Sequence, residues 1–181
     1  GNFHGRTTTI ISFSNDVDAR DNFGPYTPGF ISVPYNDIEA LTKVVHDHHN
    51  IAGILIEPIQ GEAGVNVPDD GFLSNVKTIC SDNDILFIAD EIQTGIARTG
   101  KMLACDYESI KPDILILGKA LSGGVFPVSA VLADDDVMLC IRPGEHGSTY
   151  GGNPIACQVA MAALEVVKNE KLSNNAYDLG C

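Results

Sequence analysis

The chain has 181 residues, 44% of them hydrophobic, and a formal net charge of −13. That length supports one domain with a sizeable core, and the charge opposes a nucleic acid or an anionic membrane surface as partner, since both are polyanions. No apolar run approaches the roughly 20 residues that span a bilayer, and no signal-peptide pattern opens the chain.

The first element in chain order is TTTIISFS (Thr7–Ser14), whose β-branched residues predict a strand. A long turn-rich stretch with three prolines and two glycines follows, up to Asn36 and Asp37. Such a length implies a functional loop or one packed around something. Asn36 and Glu39 have capping-box spacing and predict a helix through Leu41, Val44 and Val45. IAGILIEPI (Ile51–Ile59) is a continuous apolar strand ending at Glu57-Pro58. Phe72, Val76 and Ile79 have helical spacing. ILFIA (Ile85–Ala89), DILIL (Asp113–Leu117) and VFPVSAVLA (Val125–Ala133) predict three more strands. Near the end Asn153 caps a helix with Pro154 at its first position, and Ile155, Val159, Ala162, Ala163, Val166 and Val167 line its buried face. Apolar strands alternating with helices define an α/β fold, a mostly parallel sheet flanked by helices on both faces.

Ligands in such sheets bind beyond the carboxyl ends of the strands. Glu57 and then QGEAG follow one apolar run, Asp90-Glu91 the next, and Lys119 the third. A lysine in that crevice has its charge disfavoured by desolvation, which frees the amine to attack a carbonyl. An aldehyde cofactor such as pyridoxal phosphate needs that amine together with an acid partner at its ring nitrogen. Asp90 and Lys119 fill the two roles. The five cysteines (Cys80, Cys105, Cys140, Cys157 and Cys181) form no CxxC pair and read as buried thiols in a reducing compartment. The cytoplasm is expected, with the mitochondrial matrix as the alternative. The HDHH run (His46, Asp47, His48, His49) reads as a solvated helix end, not as a metal site.

FIADEIQTGIARTG followed by DILILGKALSGG resembles the signature of the class III pyridoxal-phosphate aminotransferases. Within that family GNFHGRT, FGPYTPGF, VPYND, EPIQGEAGV and GEHGSTYGGNP are similar to the ornithine-type members, which act on a side-chain terminal amine. The resemblance implies the fold type I, aspartate aminotransferase-like large domain, a pyridoxal phosphate cofactor, amino-acid and oxo-acid substrates, and a homodimer. It makes residues 1–181 the central part of the large domain, with an upstream segment and a C-terminal small domain outside it. The opening GNFHGRT without an initiator Met and the end at LGC read the same way.

Residue by residue, the resemblance makes Lys119 the amine that binds the cofactor and moves the substrate proton, and Asp90 the partner of the ring nitrogen. Gln93 bonds the cofactor's phenolic oxygen, and Phe3 stacks on its ring. Arg6 grips a substrate carboxylate, as a forked guanidinium suits. Glu62 pairs with a second arginine outside this chain and gates it, so that one site serves two substrates. Ser148 and Thr149 offer hydroxyls and N–H groups to a phosphate, and Thr149 serves the cofactor of the neighbouring subunit. His4 stands where a larger aromatic is expected, which leaves the packing at the ring edge open. Arg98 belongs to the signature without an independent physical role. An acetylornithine or 4-aminobutyrate aminotransferase is the competing enzyme, and a non-catalytic homologue that binds partners is the competing class.

Overall fold

A four-stranded sheet orders the chain, and the computed structural model describes residues 1–181. β1 (Gly53–Ile56), β2 (Leu86–Asp90), β3 (Ile114–Leu117) and β4 (Ala130–Ala133) lie side by side in that order. β1, β2 and β3 are mutually parallel, whereas β4 returns antiparallel along β3. Ile56 pairs with Ala89, and Asp90 pairs with Ile116. The residues just past β1 and β3 therefore emerge beside the end of β2.

Seven helices accompany the sheet. α1 (Thr8–Ile11), α2 (Val17–Arg20) and α5 (Asp135–Met138) are single turns. α3 (Ile38–Asp47) and α4 (Phe72–Asp82) supply the core. α6 (Pro154–Asn169) and α7 (Leu172–Gly180) follow β4. Two 3-10 turns, Ala104–Tyr107 and Lys119–Ser122, follow β2 and β3.

Leu41 and Val45 from α3 meet Phe72, Leu73, Val76 and Cys80 from α4 over Phe87 and Ala89 of β2. Side chains alternate along a strand. Phe87 and Ala89 thus face the helices, while Leu86, Ile88 and Asp90 point to the other side. Each fully buried Leu, Val or Phe contributes about 1.5–3 kcal/mol, so the helix-covered face anchors β2 and with it the position of Asp90.

Several expectations are corrected. Thr7–Ser14 is no strand: Ile11 N–H bonds back to Thr7 C=O at 2.9 Å, and the segment forms α1 and a turn. β-branched residues favour a strand only where a sheet edge receives them, and this segment lies beside no strand. The cap of α3 is Asp37, whose carboxylate accepts from Ala40 N–H at 2.9 Å. Asn36 sits one residue earlier and exchanges two hydrogen bonds with Asp69 instead. The helix after Asn153 forms as expected, with Asn153 accepting from Ile155 and Ala156 N–H groups, but Ile155 and Val166 on its expected buried face are exposed. The sheet is covered by α3 and α4 on one face only, with Leu55 and Val131 exposed on the other. All five cysteines are free, yet only Cys80 and Cys105 are buried. Burial pushes the Cys80 thiol up to about 11. Cys140, Cys157 and Cys181 fall in the last third of the chain, where little packs against the helices.

Candidate active site

The carboxyl ends of three adjacent parallel strands deliver three ionisable side chains to one edge: Glu57 after β1, Asp90 at the end of β2 and Lys119 after β3. Glu91 N–H donates to Ile116 C=O at 3.0 Å, which extends the β2–β3 pairing past Asp90.

Asp90 is 5% exposed. Its Oδ1 accepts from Ile92 N–H at 3.1 Å, and its Oδ2 lies 2.6 Å from His4 Nδ1. A carboxylate has about four acceptor sites, so capacity remains for a further donor. The bond to Asp90 holds the His4 imidazole above its usual range against the opposing effect of burial, and the charges of Asp90 and Glu57 add to it.

Glu57 joins two chain segments. Its Oε1 accepts from Phe3 N–H at 2.9 Å and its Oε2 from Gly61 N–H at 3.2 Å. Burial pushes the Glu57 carboxyl up; these two N–H groups oppose the rise, Asp90 adds to it and Lys119 opposes it. Tyr35 hydroxyl donates to the backbone carbonyls of Glu57 and Pro58 and fixes the end of β1 from behind.

Lys119 opens its 3-10 turn in the left-handed region, at φ 41°. A lysine there costs on the order of 1–3 kcal/mol, a strain that clusters at functional sites. Its Nζ lies 3.9 Å from Glu62 Oε1 in a loose, solvated pair. The expected desolvation of this amine is not met, since its side chain is 48% exposed. It stands beyond the sheet edge, where no element of this chain covers it.

Gln93 completes the edge. Its buried amide oxygen has no hydrogen-bond partner. A Cβ on Gly61 would lie 1.3 Å from that oxygen, so any larger residue there would displace the Gln93 amide. The Gln93 amide oxygen thus packs against the loop that carries Glu62; a carboxylate, an amide and a primary amine from this rim suit the polar atoms of a pyridoxal ring.

The remaining expected residues are placed as follows. The Arg6 guanidinium sits 5.4 Å from the Phe3 ring centroid, and its Nη1 lies 3.6 Å from Asp16 Oδ2, both side chains being largely exposed. Ser148 and Thr149 lie on an exposed loop, where Ser148 Oγ accepts from Gly151 N–H at 3.0 Å. No hydrogen bond or ion pair ties either of them to Asp90 or Lys119. Arg98 lines a cleft with Ala120, Val125, Val159 and Val167. The structure thus groups Phe3, Glu62, Asp90, Gln93 and Lys119, and it adds His4 and Glu57. Glu57 was visible in the sequence as the polar residue ending an apolar run. The His4–Asp90 bond spans 86 positions, and no local pattern signals it.

The aminotransferase class-III family model matches residues 1–181, and the chain belongs to that family of pyridoxal-phosphate-dependent transaminases. It is 59% identical to the mitochondrial ornithine aminotransferase of Rattus norvegicus, over 99% of this chain and 41% of the relative. The ornithine aminotransferase of Toxoplasma gondii superposes with a TM-score of 0.97 at 52% identity, covering 99% of this chain and 42% of that one. That structure is described as having partial occupancy of PLP at its active site. An acetylornithine aminotransferase from Elizabethkingia anophelis is 64% identical with a TM-score of 0.83, over 85% of this chain and 40% of that one. The expected mostly parallel fold type I architecture is the fold of this chain. The chain spans about two fifths of the length of the relatives it matches.

Proposed function

We propose that the full-length protein is an ornithine–oxo-acid aminotransferase. It moves the terminal amino group of ornithine to 2-oxoglutarate and yields glutamate 5-semialdehyde and glutamate. The amine-bearing carbon of ornithine is oxidised to an aldehyde while the keto carbon of the oxo-acid is reduced to an amino carbon, so the two half-reactions balance. The semialdehyde then cyclises toward proline.

One observation supports the reading: Asp90 ends β2 and Lys119 follows its parallel neighbour β3, with Glu62 3.9 Å from the Lys119 amine. Pyridoxal phosphate, when bound, supplies an aldehyde for amines and a protonated ring that accepts electrons. Asp90 would hold a proton at the ring nitrogen, and the Lys119 amine would serve as the base that takes a proton from the substrate carbon. Phe3 offers a flat face, Arg6 a fork for a carboxylate, and Glu62 a charge to pair with, and so gate, a second arginine outside this chain. Ser148 and Thr149, exposed on their loop, suit a cofactor phosphate, Thr149 that of a second copy. We infer a reducing compartment from the five free cysteines; the relatives include mitochondrial and bacterial proteins.

Borohydride reduction of the full-length protein mixed with pyridoxal phosphate should leave a pyridoxyl adduct on Lys119, found by peptide mass. A missing adduct sinks the enzyme reading. The 64% identity to an acetylornithine aminotransferase favours a second reading. A kcat/KM for N-acetylornithine well above that for ornithine would establish it in place of the first.

A further inference from the structure

The N-terminal segment reaches the site through a histidine that the proposed chemistry leaves without a task. His4 Nδ1 stands 2.6 Å from Asp90 Oδ2, a distance typical of a charge-assisted bond. The segment is tied twice just ahead of the ring. Phe3 N–H donates to Glu57 Oε1 at 2.9 Å, and the Asn2 amide donates to Phe13 C=O at 2.9 Å. His4 itself is only 21% exposed at its side chain, against 6% for Asp90. The groups facing it are Asp90 at the end of β2 and Glu57 just after β1, both acidic; Lys119 after β3 acts on Glu57 through its charge.

We propose that His4 is a positioning residue for Asp90: its Nδ1–H holds Oδ2 so that the carboxylate presents a fixed lone pair to the ring nitrogen of the cofactor. Ile92 N–H fixes the other oxygen at 3.1 Å, and together the two donors set both the tilt and the rotation of the carboxylate. Burial makes this orientation matter. Asp90 has no access to solvent donors, so without His4 its Oδ2 would turn toward another partner or take a proton itself. The rise of the His4 imidazole above its usual range, led by its bond to Asp90, agrees with a donor to that carboxylate.

The inference rests on the pyridoxal phosphate reading, and its test separates the two. His4→Asn keeps an N–H donor near the Nδ1 position without the ring, and His4→Phe keeps the ring without the donor. In the full-length protein, His4→Phe should bind pyridoxal phosphate about tenfold more weakly, the loss of one charge-assisted hydrogen bond. His4→Asn should stay within about twofold of the parent. Equal affinities for parent and His4→Phe, or an equal loss in both variants, overturn the proposal. The Lys119 adduct should form in the parent and in both variants, so its absence from the parent would strike the functional reading and not this one. Should His4→Phe fail to fold, histidine NMR of the apoprotein decides: the His4 titration should fall toward the ordinary value in Asp90→Asn, and an unmoved titration overturns the proposal.

Discussion

Glu91 stands one residue past the acid of the site and is 1% exposed, yet its task is structural. Its Oε1 accepts from Cys105 N–H at 2.8 Å, and its Oε2 accepts from Ala104 N–H at 3.1 Å and from the Thr94 hydroxyl. This carboxylate holds the turn after β2 against the 3-10 turn at Ala104–Tyr107. Glu91→Ala leaves two buried N–H groups unpaired and should cost about 3 kcal/mol, read as a lower thermal midpoint of the full-length protein; Glu91→Gln should cost less. His4 gives a pH prediction at the same scale. Its folded pKa is raised above 6.5, first by the Asp90 bond. Its contribution to stability is therefore fully present below pH 6.5 and is lost as pH rises through the folded value. Asp90→Asn should flatten that alkaline loss in thermal melts run across pH 6 to 9. An identical pH slope in the variant would count against the pairing. Asp90 and Lys119 were legible because each ends an apolar run. Glu91 and His4 were not, since their partners lie 14 and 86 positions away.

At the scale of elements, one carboxylate joins a helix to two strands. Asp113, just before β3, receives Lys77 Nζ of α4 at 2.7 and 2.8 Å and Phe87 N–H of β2 at 2.8 Å. Burial acts to raise its carboxyl, but Lys77 and the Phe87 N–H outweigh it and hold the group below its usual range. A depressed folded pKa means stability that is present above about pH 4 and lost as pH falls through the folded value. Asp113→Asn should destabilise by about 1–2 kcal/mol at pH 7. The gap to the parent should close on acidification below pH 4, which paired melts at pH 7 and pH 3.5 would show. The elements themselves were legible where burial and period agreed: β2, β3 and α4 stand close to where their apolar patterns put them. The reading failed at Thr7–Ser14, where β-branched residues imitated a strand that no sheet edge receives. It missed the helix cap by one residue because Asn36 and Asp37 are both capping types, and only the Asn36–Asp69 contact separates them. The antiparallel turn of β4 has no signature in VFPVSAVLA, since direction depends on the connection and not on the strand.

The whole molecule places chemistry on one edge and leaves apolar surface elsewhere. Three parallel strands end together, so Glu57, Asp90 and Lys119 share a rim that the sequence alone fixes only as three separate strand ends. The sheet face opposite α3 and α4 has no helical cover, and Leu55 and Val131 remain exposed on it. α6 shows Ile155, Leu164 and Val166, and the loop after Lys119 shows Val125 and Phe126. A cleft lined by Ile96, Ala97, Val159, Ala163, Val167 and Leu172 opens between α6, α7 and that loop. Contiguous apolar area of this kind marks surfaces meant to be covered, and it drives association when they are not. The net charge of −13 opposes that association at low salt, and the opposition weakens as salt screens it. The 181-residue chain by itself should therefore bind a hydrophobic dye strongly. It should also elute from gel filtration as large and polydisperse species, the more so at about 0.5 M salt than at low ionic strength, where screening is weaker. A sharp monomer peak at both salt concentrations, with no dye fluorescence, would show that the sheet face and the α6 groove are stable in water without a cover.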